Sequence, residues 1–264
     1  TAAGVTIGLI GGVFDLSIAS VADLTAVTTA IVHLNFGLAA LPAMAVGLVV
    51  GLLCGIINGV IVTRMRINPI IGTLATAGIF RGIAFLLTNG QSHAVASTSF
   101  RWLGRTRVFG VPSALIVMLI VMGIAYVVLR HTKFGRYTYA IGGNPVASRL
   151  AGINVDRQRL YLFMLVSFCA SLSGLVLLSK LGTMIPNASA GTELDIIASA
   201  ILGGTALSGG GGTIQGTLVG VLILGTLRNG LVINNVNAYW QEIASGIALV
   251  IAVGIDRLRS GGYR

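Results

Sequence analysis

Apolar runs of bilayer length follow one another along almost the whole chain. They occupy 38 to 62, 70 to 87, 113 to 129, 160 to 179, 214 to 232 and 241 to 256, and about 20 mostly apolar residues are what a helix needs to cross the hydrocarbon core. Shorter or glycine-broken stretches at 1 to 13, 16 to 32 and 194 to 207 read as half-helices or helices with an unwound point, giving about nine membrane segments. Only 9% of the residues are charged, against about a quarter in a soluble domain. The fold expected is all-α and polytopic, one transmembrane domain over 1–264.

The seventeen basic residues are not spread evenly, for six of them fall between Arg130 and Arg159. Short loops rich in Lys and Arg mark the cytoplasmic face. With that loop inside and the spans alternating, Arg64, Arg66, Arg257, Arg259 and Arg264 also fall inside, eleven in all, whereas Arg101, Arg105, Arg107 and Lys180 fall outside. Arg81 and Arg228 lie within spans and are expected to reach the outer interface by snorkelling. The net charge of +10 is therefore a topology signal, and a nucleic-acid partner is not expected.

Two motif pairs recur in the same order. Asp15-Leu-Ser-Ile-Ala-Ser20 echoes Glu193-Leu-Asp-Ile-Ile-Ala-Ser199, and Ile57-Asn-Gly-Val-Ile-Val62 echoes Arg228-Asn-Gly-Leu-Val-Ile233, about forty residues after the first motif each time. The first Asn-Gly helix runs inward and the second outward. The pattern predicts an inverted repeat, a common transporter plan: repeat one over about 1–87, a linking span at 113–129, a cytoplasmic loop at 130–159 and repeat two over about 160–256. Irregular backbone at membrane depth must be buried in protein or line water. The glycines at 11 and 12 and the tract Gly203 to Gly212 supply the freedom such breaks need.

These breaks hold the candidate path residues Asp15, Ser17, Asn58, Glu193, Asp195 and Asn229. An acid costs about 2.5–3.5 kcal/mol at the bilayer centre on insertion scales, so the three acids are expected to cap a half-helix at its positive end, to pair, or to line water and meet substrate. Asn58 and Asn229 occupy equivalent repeat positions, suited to helix packing or to a hydrogen bond with substrate. In the basic loop, Asn144 before Pro145 is a helix start and Gly152 a stop, which predicts a short helix over Asn144, Pro145, Ala147, Ser148, Arg149 and Leu150. Small-residue rows at Gly47, Gly51 and Gly55 and at Gly216 and Gly220 read as close helix contacts. The outer loop from Thr88 to Pro112, with Phe100, Trp102 and its arginines, reads as an interfacial anchor or a protein contact.

Enzyme chemistry finds no footing in the residues. The glycines at 209–212 lack the Gly-Lys-Ser/Thr of a phosphate loop, His33, His93 and His131 have no nucleophile at a recognisable spacing, and Cys54 and Cys169 sit alone in apolar runs. No metal site and no cofactor are expected in this chain. Its first residues, Thr1 to Ile10, already read as apolar span without a Met, so further sequence is expected upstream.

Three motifs together, Gly11-Gly-Val-Phe-Asp-Leu-Ser-Ile-Ala-Ser20, Thr132-Lys-Phe-Gly-Arg136 with Gly143-Asn-Pro-Val-Ala-Ser-Arg-Leu-Ala-Gly-Ile153, and Gly203-Gly-Thr-Ala-Leu-Ser-Gly-Gly-Gly-Gly-Thr213, resemble the ribose/xylose-type permeases of bacterial ABC sugar importers, in the branched-chain amino acid/ribose permease superfamily. The likeness runs along nearly the whole chain. Two departures stand in the first motif: Val13 and Phe14 give one residue more than usual before Asp15, and Ala19 replaces a more frequent glycine. The resemblance implies a multi-pass permease of the bacterial inner membrane, paired with a second permease subunit and fed by a periplasmic or lipid-anchored sugar-binding protein. ATP and Mg would reside in a separate cytoplasmic ATPase, with the helix at 144–152 as the coupling helix and Arg149 as a polar contact. The rival is an ion-coupled secondary transporter using Asp15 and Glu193, and a related ABC permease for a non-sugar substrate such as an amino acid is the nearer alternative.

Overall fold

Glycine and proline set most of the element boundaries. In a computed structural model, helix α1 (Ala2–Ile10) stops at Gly11 and Gly12, the latter with φ +71°, and α2 (Ile18–Phe36) restarts seven residues later. Helix α3 (Ala40–Thr63) and α4 (Pro69–Thr88) follow, the second opened by Pro69 with the Asn68 side chain accepting from the Ile70 amide at 2.9 Å. The next are α5 (Ser113–His131), α6 (Lys133–Gly143), α7 (Pro145–Leu150), α8 (Val155–Leu181), α9 (Thr192–Leu202) and α10 (Ile214–Ile233). Four two-residue strands, β1 (His93–Ala94), β2 (Arg107–Val108), β3 (Val111–Pro112) and β4 (Thr183–Met184), pair β1 with β4 and β2 with β3, antiparallel in both cases. The structure describes residues 1–95, 100, 102–237, 239–241, 243–244, 246–247, 250–251 and 254. The span expected at 241 to 256 falls in part outside these residues, as do Arg101, Arg257, Arg259 and Arg264.

Among the described residues six helices, α2, α3, α4, α5, α8 and α10, are long and apolar enough to cross a membrane. One expectation is corrected. The stretch at 16 to 32 is not broken but belongs to the 19-residue α2, because Ile18 to Phe36 contains neither glycine nor proline; the break lies before it, at residues 11–17. Helix α9 has 11 residues, about 16 Å at 1.5 Å per residue, half the depth of a hydrocarbon core of about 30 Å.

The centre of the bundle is α8, which packs on α3, α2 and α1. Close approach comes from the expected glycine row: a Cβ on Gly51 would strike Ser171, and one on Gly55 would lie 2.8 Å from the Met164 Cα. Likewise Gly216 and Gly220 let the α10 backbone lie against Ser199 of α9 and Gly203 just after it. The ends sort as the charges predict. Arg64 and Arg66 after α3 share a groove of about 570 Å³ with Asn154, Asp156 and Arg157 at the start of α8, so these basic segments occupy one face of the molecule.

On the opposite face the loop after α4 is tied to the end of α8. Arg105 donates from Nε to the Lys180 carbonyl at 2.6 Å and from Nη2 to that of Leu181 at 2.9 Å, Gly104 N–H meets Ser179 Oγ at 2.7 Å, and buried Phe100 sits edge-on to His33. Phe100 and Arg105 are thereby structural, while Trp102 is exposed and Phe109 at the β2–β3 turn fully so.

Candidate functional site

The first break is closed by a chain of buried hydrogen bonds. Asp15 Oδ1 accepts from the Ser17 amide at 2.8 Å and from Ser17 Oγ at 2.7 Å; Ser17 Oγ accepts from Asn58 Nδ2 at 2.7 Å; Asn58 Oδ1 accepts from Thr76 Oγ1 at 2.6 Å. Leu16 N–H donates to Thr73 Oγ1 at 3.1 Å. All five polar side chains, from α2's entry, α3 and α4, are buried. A buried polar group is tolerated when its partners are present, and here Asp15, Ser17 and Asn58 satisfy one another. Asn58 stands five residues before the end of α3, so the network lies about 8 Å in from the basic face.

The acids at the start of α9 do something else. Glu193 and Asp195 stand in the first turn of α9, but Gly191 precedes the helix and no side chain caps it. Their partners are arginines: Arg228 Nη1 lies 2.7 Å from Asp195 Oδ2, and Arg81 Nη2 lies 3.6 Å from Glu193 Oε1. Of the roles expected of these acids, pairing is the one the structure shows, and Arg81 and Arg228 each meet one of them. A cavity of about 340 Å³ opens beside the Arg228 pair, lined among others by Thr192, Asp195, Ser199, Ser173, Met122 and Arg228. Asn229 does not match Asn58 in its surroundings. It is exposed on α10 and has no hydrogen-bond partner among the described residues.

One residue escaped the sequence reading. Asp23 in α2 is 2% exposed and accepts from the Ser189 amide at 2.9 and 3.3 Å, tying α2 to the turn that leads into α9. The signal was available, since an acid five residues into an apolar helix requires a partner.

The two breaks meet. Gly210 N–H donates to the Ile10 carbonyl at 2.8 Å, and Thr6 and Thr217 share a buried Oγ1–Oγ1 hydrogen bond of 2.6 Å between α1 and α10. In the basic loop, Asn144 Oδ1 accepts from the Val146 and Ala147 amides at 3.0 and 2.9 Å, capping α7 as its chemistry predicts. Gly152, with φ +83°, ends that turn. Ser148 faces inward at 5% exposure, while Val146 and Leu150 stand out at 67% and 86%. Arg149 is drawn to Asp156 at 3.0 Å, both side chains remaining exposed.

A bundle of membrane-crossing helices with two breaks, and a short capped helix presented beyond them, defines a polytopic permease. The family model for the branched-chain amino acid transport system / permease component matches residues 1–253, and the chain belongs to that family. It is 40% identical over 260 residues to the ribose import permease protein RbsC of Escherichia coli (strain K12), covering 97% of this chain and 80% of the relative. The RbsC of Bacillus subtilis (strain 168) is 40% identical over 259 residues with the same coverage. The L-arabinose transport system permease protein AraH of Escherichia coli (strain K12) is 38% identical over 266 residues, covering 100% and 80%. No solved structure matches the chain.

Proposed function

We propose that this chain is the transmembrane permease subunit of an ATP-driven, binding-protein-dependent sugar importer, a multi-pass protein of the bacterial inner membrane. Relatives that import ribose and L-arabinose over nearly its whole length support the substrate class. The observation that carries the mechanism is α7: a capped six-residue helix on the basic face that turns Val146 and Leu150 away from the protein. Two apolar side chains turned outward four residues apart on one capped helix support a protein contact there. A cytoplasmic ATPase holding ATP and Mg docks there, and its cycle moves α7 and the broken helices behind it. The chain itself performs no catalysis.

Within the permease, Asp15, Ser17 and Asn58 hold the first break in shape. Asp195 and Arg228, with Thr192, Ser173 and Ser199, present hydroxyls and charges to the cavity and contact the sugar in passage. A second permease subunit completes the path, and a sugar-binding protein delivers the substrate to the outer face.

The test is reconstitution of the full-length permease with its ATPase and binding protein in proteoliposomes, with Leu150→Asp and Arg149→Glu as variants. Joint loss of substrate-stimulated ATP hydrolysis and of uptake is expected for Leu150→Asp. Uptake that persists without the ATPase and follows an imposed proton or sodium gradient would replace this reading with an ion-coupled carrier.

A further inference from the structure

Between the exposed helix α7 and the two breaks lies α6, and it touches both breaks with backbone. A Cβ placed on Gly142 would strike the Ile10 carbonyl, where α1 ends, and would lie 2.6 Å from the Gly210 amide nitrogen in the glycine tract. Gly209 and Gly210, at φ +89° and +76°, return the contact: a Cβ on Gly210 would lie 2.8 Å from the Gly143 Cα, and one on Gly209 would lie 3.0 Å from the Gly142 carbonyl. One turn earlier, Tyr139 donates its hydroxyl hydrogen to the Gly212 carbonyl at 2.7 Å. That residue precedes Thr213, whose Oγ1 accepts from the Gly216 amide at 3.1 Å to start α10.

The connection from α6 to α7 is a single residue. Asn144 closes α6 by donating its amide to the Ala140 carbonyl at 3.0 Å and opens α7 with its side chain. The two helices therefore share a joint with no slack residue. Behind α6, Gln158 Nε2 donates to the Phe134 carbonyl and to Thr138 Oγ1, both at 3.1 Å, which seats α6 on the first turn of α8. Backbone packed on backbone has no side chain to absorb displacement by changing rotamer, and close-packed interiors transmit strain. The Gly210 to Ile10 hydrogen bond joins the two breaks to each other, so a displacement of α6 is delivered to both.

We infer that Tyr139 and Gly142 are the positioning residues that convert movement of α7 into movement of the two helix breaks. This rests on α7 being the contact for the ATPase. Gly142 is the bearing, since no larger residue admits both backbones, and Tyr139 is the grip, since its hydroxyl holds the last residue before the α10 cap. Neither residue lines the cavity beside Arg228.

The experiment measures sugar transported per ATP hydrolysed in proteoliposomes containing the full-length permease, ATPase and binding protein, for Tyr139→Phe, Gly142→Ala and Leu150→Asp. Tyr139→Phe keeps the ring and removes only the donor. The expected result is retained binding-protein-stimulated hydrolysis with transport per ATP down about fivefold, the equilibrium equivalent of one net hydrogen bond. Gly142→Ala is expected to lower the ratio further, and should it fail to assemble, Tyr139→Phe decides alone. Leu150→Asp abolishing hydrolysis and transport together shows that α7 receives the ATPase; both persisting would remove that reading and this inference with it. With Leu150→Asp inactive, a Tyr139→Phe ratio equal to the parent's, whether both rates fall in proportion or neither changes, overturns the assignment of Tyr139.

Discussion

The first break and the start of α9 are fastened in opposite ways. Residues 11–17 are closed by Asp15, Ser17, Asn58 and Thr76, all at most 4% exposed, each hydrogen-bonded to the next. The approach to α9 is fastened by Arg81 to Glu193 and Arg228 to Asp195, with side-chain exposures from 19% to 54%, beside an open cavity and ahead of a run of glycines. A buried satisfied network specifies one arrangement, because any member that leaves orphans the others. Half-exposed ion pairs have water as an alternative partner and hold one geometry weakly. The first break is therefore held by a fixed clasp and the start of α9 by an adjustable one, the division of labour expected of a transporter in which one element moves against a frame.

The most direct way to break this comparison is Asn58→Ala. It removes two buried hydrogen bonds while Ser17 keeps Asp15 and Thr76 keeps the Thr73 carbonyl, and at about 1 kcal/mol net per hydrogen bond the loss is about 2 kcal/mol. Thermal melting of the detergent-solubilised permease reads it, with Asn58→Gln a poor rescue because the longer side chain does not fit between α2 and α4. Arg228→Ala is expected to cost about 1 kcal/mol, since Asp195 keeps a cavity face and the coupling of contacting residues runs about 0.5–3 kcal/mol. Its larger effect is on uptake. The exchange Arg228→Asp with Asp195→Arg should recover part of that uptake, as a charge pair can be reversed where a directional network cannot. Equal melting losses for Asn58→Ala and Arg228→Ala would erase the distinction between the clasps.

What the sequence disclosed follows from how local each cause is. The helix at 145–150 was legible because Asn144 caps its own next turn, and the span lengths because hydrophobicity need only be counted along the chain. The shared basic face was legible because Arg64, Arg66 and the loop at 130–159 carry their sign with them. The partner of Asn58 was not, since Ser17 lies 41 positions away and nothing local selects it. Arg81 and Arg228 were assigned to snorkelling for the same reason: a long cation in a span announces its cost but not the acid that meets it. Asp23 was the avoidable omission, an acid in an apolar run being its own signal. The motif echo linked Asn58 to Asn229 correctly as a pattern in the chain, yet one is clasped between helices and the other faces outward, so repetition of sequence did not carry repetition of contact.

The smallest effect sharpens the contrast from outside the bundle. Arg149 and Asp156 are 3.0 Å apart with side chains 59% and 52% exposed, where an ion pair contributes about 0.2–1 kcal/mol and is screened by salt. Asp156→Asn should therefore leave the melting temperature of the isolated permease within about 1 °C, near the low end of that range. It also frees the Arg149 guanidinium, which in the proposed docked state faces the ATPase beside Leu150. Association with the ATPase, measured by microscale titration at low and high salt, should change in affinity where stability does not. The direction is informative: tighter binding means Arg149 leaves Asp156 to dock, and weaker binding means the pair docks as a unit. An effect on melting as large as that of Arg228→Ala would mean exposure does not grade these contacts, and the ranking of the two clasps would fall with it.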